Sequence, residues 1–365
     1  MTRRDWLVAA LSVVAPPPKK RAAQLPNAGE FFRFLDPLTE TPVVRLTSAT
    51  SASLLPAPPN PFVSVKDRFL IFSSDRTGAL TPFRLDLHSG ALTPLAHTSK
   101  LDARSLCLDA HRKLVYLLDD GALQEIALGS KKVRSVATGV SAFAVAASGF
   151  VVVRESRLEY LSPAGPIVLA QDVAPWCLLR PDGKSCLFGR VQDMPFGRSF
   201  WHVSLEGSSP KPVQLASGQI WNPLWSPAGD SVLFLRITTG GNSLGRREIR
   251  ELSLDSGTER VVAPSTQFSC FSLNGNGSVL VGATDSRAQP SVVLFIRSAQ
   301  RELTICEHRS ADASSVSPVF SPDSRRVYFE SQLIEGPYLG QNQSKSALYS
   351  VNVESLVEPT APTAI

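Results

Sequence analysis

The sequence lacks any long hydrophobic run, since no uninterrupted apolar stretch approaches the roughly 18 residues of a membrane-spanning helix. A transmembrane segment is therefore not expected. Charged residues are few, at 19%, whereas hydrophobic residues make up 43%, enough for a substantial core and too many for a chain that is mainly disordered. Of the formal charge of +5, most is N-terminal, because residues 1–21 hold five basic residues and one acidic residue. The remaining chain is close to neutral and lacks the basic patch that nucleic-acid binding requires.

Cysteine and histidine are scarce, with five of each, and neither forms a metal-binding or redox motif. The cysteines make no Cys-x-x-Cys pair and lie in apolar stretches, so we expect small buried strand residues. The scattered histidines are more typical of surface or hydrogen-bonded side chains than of a metal site. The sequence also has no Gly-x-Ser-x-Gly motif, phosphate-binding loop or dinucleotide-binding fingerprint. It therefore carries no common signature of hydrolases or nucleotide-binding enzymes.

Residues 1–23 are typical of a bacterial twin-arginine export leader. Arg3 and Arg4 precede a short apolar run that ends at Ala15. Pro16 follows directly and is unfavourable for cleavage by signal peptidase. Two interpretations stay open: an exported protein, periplasmic or secreted, and a cytoplasmic protein with a frayed basic N-terminus.

The rest of the chain repeats one pattern, a turn rich in Ser, Pro, Asp and Gly followed by short apolar strands. Seven such starts are spaced roughly 35 to 48 residues apart, as propeller blades are. They lie near residues 67, 109, 146, 180, 226, 273 and 321. No stretch keeps a helical period, and 28 prolines would interrupt helices throughout. The pattern predicts an all-β fold, a single seven-bladed β-propeller of four-stranded blades over residues 31–355.

The two ends of the chain predict how the ring closes. Residues 31–36 and 42–47 have the pattern of the second half of a repeat without a first half, and the last repeat, from 321 to about 353, supplies the missing part. We expect N- and C-terminal strands to pair in one blade, which would cover the edges of an open ring. Residues 356–365 are expected to form a disordered tail.

Candidate site residues follow from the repeat. Four positions, each four residues before the repeated turn, are expected to meet at one mouth of the central channel: Trp176, Asn222, Ser269 and Ser317. Arg180, Arg190, Trp221 and Arg236 lie close to them in the sequence. Guanidinium groups pair bidentately with carboxylates, and indoles stack on sugar rings, so this set indicates a site for an acidic sugar. For the two tryptophans, packing in the core is an equally good interpretation.

The sequence resembles the oligogalacturonate lyases, within the wider group of TolB-like propellers. The similarity extends over about residues 31–355 and is carried by residues 36–47, 70–75, 220–227, 302–308 and 318–323. The resemblance implies a seven-bladed propeller that splits pectic oligosaccharides by β-elimination with a bound Mn²⁺ ion. In such a reaction, a cation neutralises the carboxylate next to the C5 proton and stabilises the enediolate that forms.

The chain departs from the family at the metal ligands. The family's histidine positions fall on Trp176, Asn222, Ser315 and Ser317, and a companion glutamine falls near Asp312. Serine and asparagine are poor Mn²⁺ ligands and tryptophan is none, so no metal site is expected. His308 and Asp312 remain as weak candidates, and Mn²⁺ is implied only if the chain is a working lyase.

Two functions of different classes remain open. The first is a lyase-like propeller that binds uronic-acid oligosaccharides, with β-elimination in doubt. The second is a non-catalytic, TolB-like scaffold for protein partners. The arginines and tryptophans favour the first function, and the missing histidines favour the second. In either case we expect a monomer.

Overall fold

The computed structural model of the chain describes residues 30–193, 200–213, 215, 218–238, 246–264, 266–286, 289–332 and 345–360. These residues form seven antiparallel sheets, the blades of a propeller ring. Helix within these ranges is limited to two short 3₁₀ turns, Val191–Asp193 and Ala313–Ser315. No helix in the described part of the chain is long and apolar enough to cross a membrane. The predicted all-β, seven-bladed propeller is confirmed, and the predicted leader, 1–23, lies outside the described residues.

The strands follow one another blade by blade. Two N-terminal strands come first, β1 (Phe32–Leu35) and β2 (Pro42–Arg45). Blade 1 has β3 (Ser53–Leu54), β4 (Phe69–Ser74), β5 (Thr81–Asp86) and β6 (Leu92–Pro94), and blade 2 has β7 (Cys107–Asp109), β8 (Leu114–Asp119), β9 (Ala122–Ala127) and β10 (Val133–Ala137). Blade 3 has β11 (Val140–Ala146), β12 (Gly149–Arg154), β13 (Arg157–Ser162) and β14 (Gly165–Gln171). In these three blades the first strand is the innermost one.

Blades 4 to 6 repeat this order, and the last three strands complete the ring. Blade 4 has β15 (Val173–Leu179), β16 (Ser185–Arg190), β17 (Phe200–Ser204) and β18 (Lys211–Val213). Blade 5 has β19 (Gln219–Trp225), β20 (Ser231–Thr238), β21 (Arg246–Ser253) and β22 (Glu259–Ala263). Blade 6 has β23 (Phe268–Leu273), β24 (Val279–Thr284), β25 (Ser291–Ile296) and β26 (Arg301–Glu307). Blade 7 contains β27 (Val319–Phe320), β28 (Arg326–Ser331) and β29 (Ala347–Asn352).

Blade 7 closes the ring with strands from both ends of the chain, as the sequence predicts. Its strand order is β1-β2-β29-β28-β27, and Val43 of β2 is in register with Val351 of β29. Val43 is buried, and Thr47 accepts a hydrogen bond at its Oγ1 from the backbone N–H of Leu348 at 2.9 Å. The difference from the prediction is a fifth strand, because the N-terminal segment supplies two strands to a blade that already has three.

The repeated turn has a physical basis that recurs from blade to blade. Its first residue is polar, and the side chain accepts a hydrogen bond from the backbone N–H five residues later, as Ser226 does from Ser231 and Ser321 does from Arg326. Its fourth residue has a positive φ, 74° at Gly229. Such a φ favours glycine, so the turn chemistry explains why the motif is visible in the sequence.

The core lies mainly between neighbouring blades. Leu235 and Ile249 of blade 5, for example, pack with Phe268 and Phe271 of blade 6 in one apolar cluster. Strands that are buried on both faces read as continuous apolar runs, which is why these segments are rich in Val, Leu and Phe. This packing fixes each blade against the next one and so fixes the residues around the channel.

The predicted disordered tail differs from the structure over its first five residues. Val357 is buried against blade 7, and the backbone N–H of Thr360 donates to the carbonyl of Asp323 at 3.1 Å. An apolar side chain and a hydrogen-bonded backbone hold residues 356–360 on the ring. Residues 361–365 lie outside the described part of the chain.

Candidate functional site

The two ends of the ring are distinct surfaces. The innermost strands begin at one end, near Val173, Gln219 and Phe268, and we call this end the entrance face. They run to the repeated turns at the opposite end, the turn face, where Arg180 and Ser226 begin their turns. The antiparallel second strand of each blade returns to the entrance face.

The lengths of the connections distinguish the two ends further. Between the second and third strands, blades 2 and 3 have only residues 120–121 and 155–156, whereas blades 4, 5 and 7 have residues 191–199, 239–245 and 332–346. The strand ends that these connections join lie at the entrance face. Binding residues of a rigid scaffold are commonly found where its loops concentrate, so the entrance face is the candidate face for a site.

Asn222, Ser269 and Ser317 lie on or beside three neighbouring innermost strands, but the turn of blade 6 begins at Asn274, so Cys270 and not Ser269 corresponds to Asn222 and Ser317. The side-chain amide of Asn222 donates to the carbonyl of Phe271, two residues after Ser269, at 2.9 Å. Ser272 Oγ donates in turn to the carbonyl of Pro318, next to Ser317, at 2.7 Å. These bonds connect blades 5, 6 and 7 along the channel wall.

Trp221 is the exposed aromatic residue of this wall. It lies on β19 next to Asn222, whose φ of 52° is left-handed, and the strand register shifts between Trp221 and Leu224. The indole is 48% exposed, an unusual value for so large an apolar side chain on an innermost strand. Of the two interpretations made from the sequence, the structure favours an available aromatic surface at this position.

Trp176 belongs to the packing of blade 4. Its ring meets Phe200 edge to face with centroids 5.7 Å apart. It also covers Gly189, where an added Cβ would lie 2.5 Å from Trp176 Nε1. Trp176 therefore fills space left by a glycine on the next strand, and the core interpretation describes it better than ligand contact.

Two of the three candidate arginines are not available at the mouth. Arg180 lies on the turn face, beside Trp225, and so at the opposite end from Trp221. Arg236 is 9% exposed and forms ion pairs with Glu248 at 2.9 Å and Glu259 at 3.1 Å. Of the three arginines that the sequence offers as candidates, these two do not suit the role: Arg180 follows its strand onto the turn face, and Arg236 is paired with carboxylates of the neighbouring strands.

Arg236 belongs to a cluster of arginines that share two glutamates. Arg250 also pairs with Glu248 and Glu259. Burial by itself raises the pKa of the Glu248 carboxyl, but hydrogen bonds from Arg236 and Arg250 lower it overall. Arg246 also reaches Glu248, at 3.3 Å, so three arginines share the two carboxylates, and Arg236 is a buried member of this cluster.

Arg190 is the candidate arginine that stays at the entrance face. It ends β16, in register with Val173 at the beginning of β15. Its guanidinium lies 4.0 Å from the ring centroid of Trp201, and Nη1 donates to the carbonyl of Gln171 at 3.4 Å. Its Nε has no hydrogen-bond partner among the described residues. No carboxylate of the described residues forms an ion pair with Arg190.

Sequence reasoning missed Arg247, which lies on the third strand of blade 5 and reaches blade 6. Its Nη1 donates to Ser269 Oγ at 3.2 Å, and its Nη2 pairs with Asp285 Oδ2 at 2.7 Å. Asp285 follows β24 at the entrance face. The sequence signal is the Arg246-Arg247 pair at the start of a strand, but only the strand register shows which arginine faces the next blade.

His308 and Asp312, the weak metal candidates, are both used within the fold. His308 is fully buried, and its Nδ1 accepts from the backbone N–H of Ser310 at 3.1 Å. This assigns the proton to Nε2, which donates to the carbonyl of Thr284 at 3.1 Å. Burial lowers the pKa of His308, so the ring is held neutral. Asp312 caps the following 3₁₀ turn by accepting from Ser314 N at 2.9 Å.

The residues present do not fit the Mn²⁺ ion that the resemblance implies. Ser315 Oγ donates to the carbonyl of Asp312 at 2.7 Å, and the Asn222 amide nitrogen is committed to blade 6. Both nitrogens of the nearby His308 are occupied. Within the described ranges, no three His, Cys, Asp or Glu residues come together as metal ligands would. Mn²⁺ is a hard cation that prefers carboxylate, imidazole and water ligands, and this wall offers hydroxyls and one amide.

Other reactive groups near the channel are buried. Glu330 of β28 pairs with Arg104 and accepts from the backbone N–H of Leu55 at 2.8 Å. Burial raises its pKa to about 7 in spite of these partners, and the residue is only 2% exposed. Burial also raises the pKa of the Cys270 thiol to about 11, so it is not a thiolate nucleophile. Neither group can reach a ligand from its present position.

Comparisons with known proteins agree with this fold. No protein-family model matches the chain, and no curated protein matches its sequence. Among solved structures, an oligogalacturonate lyase in complex with manganese is similar with 17% identity, a TM-score of 0.76, and coverage of 88% of this chain and 96% of that chain. An oligogalacturonate lyase from Vibrio parahaemolyticus is similar with 16% identity, a TM-score of 0.75 and the same coverage. TolB from Acinetobacter baumannii matches 75% of this chain and 62% of its own, with 12% identity and a TM-score of 0.45.

The first two similarities extend over nearly the whole ring. At 16% to 17% identity they show a shared fold and no more. The resemblance to oligogalacturonate lyases that residues 36–47 and 220–227 carry is thereby confirmed in the architecture of the chain.

Proposed function

We propose that this chain binds uronic-acid oligosaccharides at the entrance face, as a lyase-like propeller that does not carry out Mn²⁺-dependent β-elimination. The observation that carries the proposal is Trp221, a half-exposed indole on an innermost strand of a ring with the oligogalacturonate lyase fold. Flat aromatic side chains bind the apolar faces of pyranose rings, and a partly wet channel wall is a suitable place for one.

Arg190 supplies the acidic preference in this proposal. It lies at the entrance face on the side of blade 4 toward blade 3, where it bonds the carbonyl of Gln171, and no carboxylate of the described residues pairs with it. Stacking on Trp201 holds the guanidinium plane, so its donors are preorganised for a planar carboxylate. A uronic-acid oligomer presents such a group on every residue.

The proposal excludes Mn²⁺-dependent β-elimination because removal of the C5 proton requires a cation that these residues do not bind. A C5 proton next to an ionised carboxylate is weakly acidic until a cation neutralises that carboxylate. Asn222, Ser315 and Ser317 stand where the resemblance places metal-binding histidines, and their side chains do not suit the metal. Glu330, the carboxyl whose pKa is raised to about 7, is too buried to act as a base. We therefore assign binding to this chain and not turnover.

Isothermal titration calorimetry with trigalacturonate, with and without Mn²⁺, tests the proposal. We expect binding that changes little with the metal. The same mixtures should show no increase in the ultraviolet absorbance of an unsaturated product. Turnover that depends on Mn²⁺ would instead identify a working lyase.

Matched arginine variants locate the site. Arg190→Ala should weaken trigalacturonate binding by about 10- to 100-fold, the value of a charge-assisted pair. Arg180→Ala removes the same charge at the turn face and should leave binding unchanged. Absence of any uronate binding by the unmodified protein would favour the alternative, a scaffold for protein partners.

A further inference from the structure

We infer that the surface formed by Trp221, Arg247, Ser269 and Asp285, where blades 5 and 6 meet at the entrance face and which we call the cleft, seats one sugar ring of the ligand through its hydroxyl groups, with Trp221 stacking on the ring and the Arg247–Asp285 pair binding adjacent hydroxyls. This inference rests on the proposed function and names the part of the ligand that this cleft recognises. Recognition of this one ring then depends on its hydroxyl groups and not on its carboxylate.

The strand register places Trp221 and Arg247 on the same face of blade 5. Gln219, two residues from Trp221 on β19, is in register with Ile237, which is in register with Arg247. Residues opposite one another in an antiparallel sheet share a face, as do residues two apart on one strand. The contacts of Arg247 with Ser269 show that this face is the one toward blade 6.

The spacing suits one pyranose ring. Two strand spacings and two residues along the strand separate the two Cα atoms by about 12 Å. Trp221 and Arg247 both have long, partly exposed side chains on this face. Ser269 and Asp285, the blade 6 partners of Arg247, complete the cleft.

The polar side chains are held in place before any ligand binds. Arg247 Nη1 donates to Ser269 Oγ, and Nη2 is fixed by Asp285. The backbone N–H of Asp285 donates to the carbonyl of Gln267 at 2.9 Å, which anchors the carboxylate. Side-chain exposures of 26% for Arg247 and 52% for Asp285 leave part of each group accessible. A ligand therefore meets a preorganised pair at a low entropic cost.

The pair selects hydroxyls over carboxylates. A sugar hydroxyl both donates and accepts, so one hydroxyl can donate to Asp285 while its neighbour accepts from Arg247. A ligand carboxylate at the same place would meet the repulsion of Asp285, and the positive charge of Arg247 is already paired. Carboxylate recognition is thus left to Arg190 on blade 4, and ring recognition to this cleft.

The test uses calorimetry with two probes, trigalacturonate and its fully methyl-esterified form, which keeps the ring hydroxyls and lacks the charges. We expect the wild-type protein to bind both probes. Arg247→Ala and Asp285→Ala should each weaken both probes by about 10- to 100-fold. Arg246→Ala, a change at the adjacent and more exposed arginine, should alter neither, and thermal melts confirm that each variant is folded. Asp285→Ala serves as the second variant, since its surface position makes loss of folding unexpected.

The outcomes separate this inference from the proposed function. If the wild-type protein binds both probes and the two variants bind them equally well, the inference is wrong while the proposed function stands. Binding of trigalacturonate without any binding of the ester also overturns the inference, because the hydroxyls then contribute too little. Binding of the ester alone, lost in both variants, supports the inference and overturns the acidic preference. No binding of either probe overturns both.

Discussion

Glu330 makes the stability of the ring depend on pH in a calculable way. Its carboxyl lies in blade 7, paired with Arg104 and bonded to the backbone of Leu55, so it joins the closing blade to blade 1 and to the segment before blade 2. Burial raises its pKa to about 7 from an ordinary value of 4.5. The folded state therefore holds the proton more tightly than the unfolded chain does. The stability that this proton contributes is complete below about pH 4.5 and is lost as the pH rises through about 7.

The magnitude follows from the two pKa values. A difference of about 2.5 units corresponds to about 3 kcal/mol over the full range, and about 2 kcal/mol of it falls between pH 5.5 and 8.5. Glu330→Gln keeps the shape of the side chain and removes the titration. The free energy of unfolding of the wild-type protein, minus that of Glu330→Gln, should thus fall by about 2 kcal/mol across this interval.

Urea unfolding of both proteins at pH 5.5, 6.5, 7.5 and 8.5 measures this difference. Subtracting the variant matters because burial lowers the pKa of His202 and His308, whose contributions run in the opposite direction and are lost as the pH falls. Glu206→Gln, the same change at an exposed glutamate, is the matched control. A profile for Glu330→Gln parallel to the wild-type profile would refute the reasoning, since Glu330 would then titrate alike in the folded and unfolded states.

Three further predictions test the packing of the ring. Gly189→Ala would bring a Cβ to 2.5 Å from Trp176 Nε1 and should lower the free energy of unfolding by roughly 1–3 kcal/mol in urea titrations. Trp225→Phe removes the indole N–H that donates to the carbonyl of Leu178 at 3.0 Å, and should cost roughly 1–3 kcal/mol by the same measurement, because it leaves a buried carbonyl without its donor. Deletion of residues 1–47 removes two strands of blade 7 and exposes the edge of β29, so we expect aggregation in light scattering; a soluble product with an unchanged melting temperature would contradict this.

The fold could be predicted from the sequence because its decisive signals are local. The repeated turn needs a polar first residue to bond a nearby N–H and a residue tolerant of positive φ, and both requirements leave recognisable residue types at fixed spacing, as at Ser226 and Gly229. Closure of the ring could also be predicted, because the N-terminal strands form half of a repeat and must pair with strands from elsewhere in the chain. The fifth strand of blade 7 and the packing of Val357 depend on nonlocal contacts and were not predicted.

The site was predicted less well because its residues depend on strand direction and register. Arg236 and Arg247 lie in the same blade and look alike in the sequence, yet Arg236 is opposite Glu248 whereas Arg247 is opposite Ile237. One arginine is neutralised within its own sheet, and the other reaches the next blade. Arg180 differs again, since it follows its strand and so lies on the turn face. Sequence spacing identifies these arginines but does not distinguish the three environments.

Asn222 stands beside the exposed Trp221, at a position where the resemblance implies a metal-binding histidine. The resemblance places a histidine of the metal site there, but Asn222 has a left-handed φ of 52° and donates its amide to blade 6. Asparagine adopts this conformation more readily than most residues, and here it accompanies the register shift that separates Trp221 from Leu224. The neighbouring residue, Trp221, is half-exposed. A residue that would bind a cation in a lyase thus acts in this chain through the backbone, by setting the direction of the side chain on which we expect a sugar ring to stack.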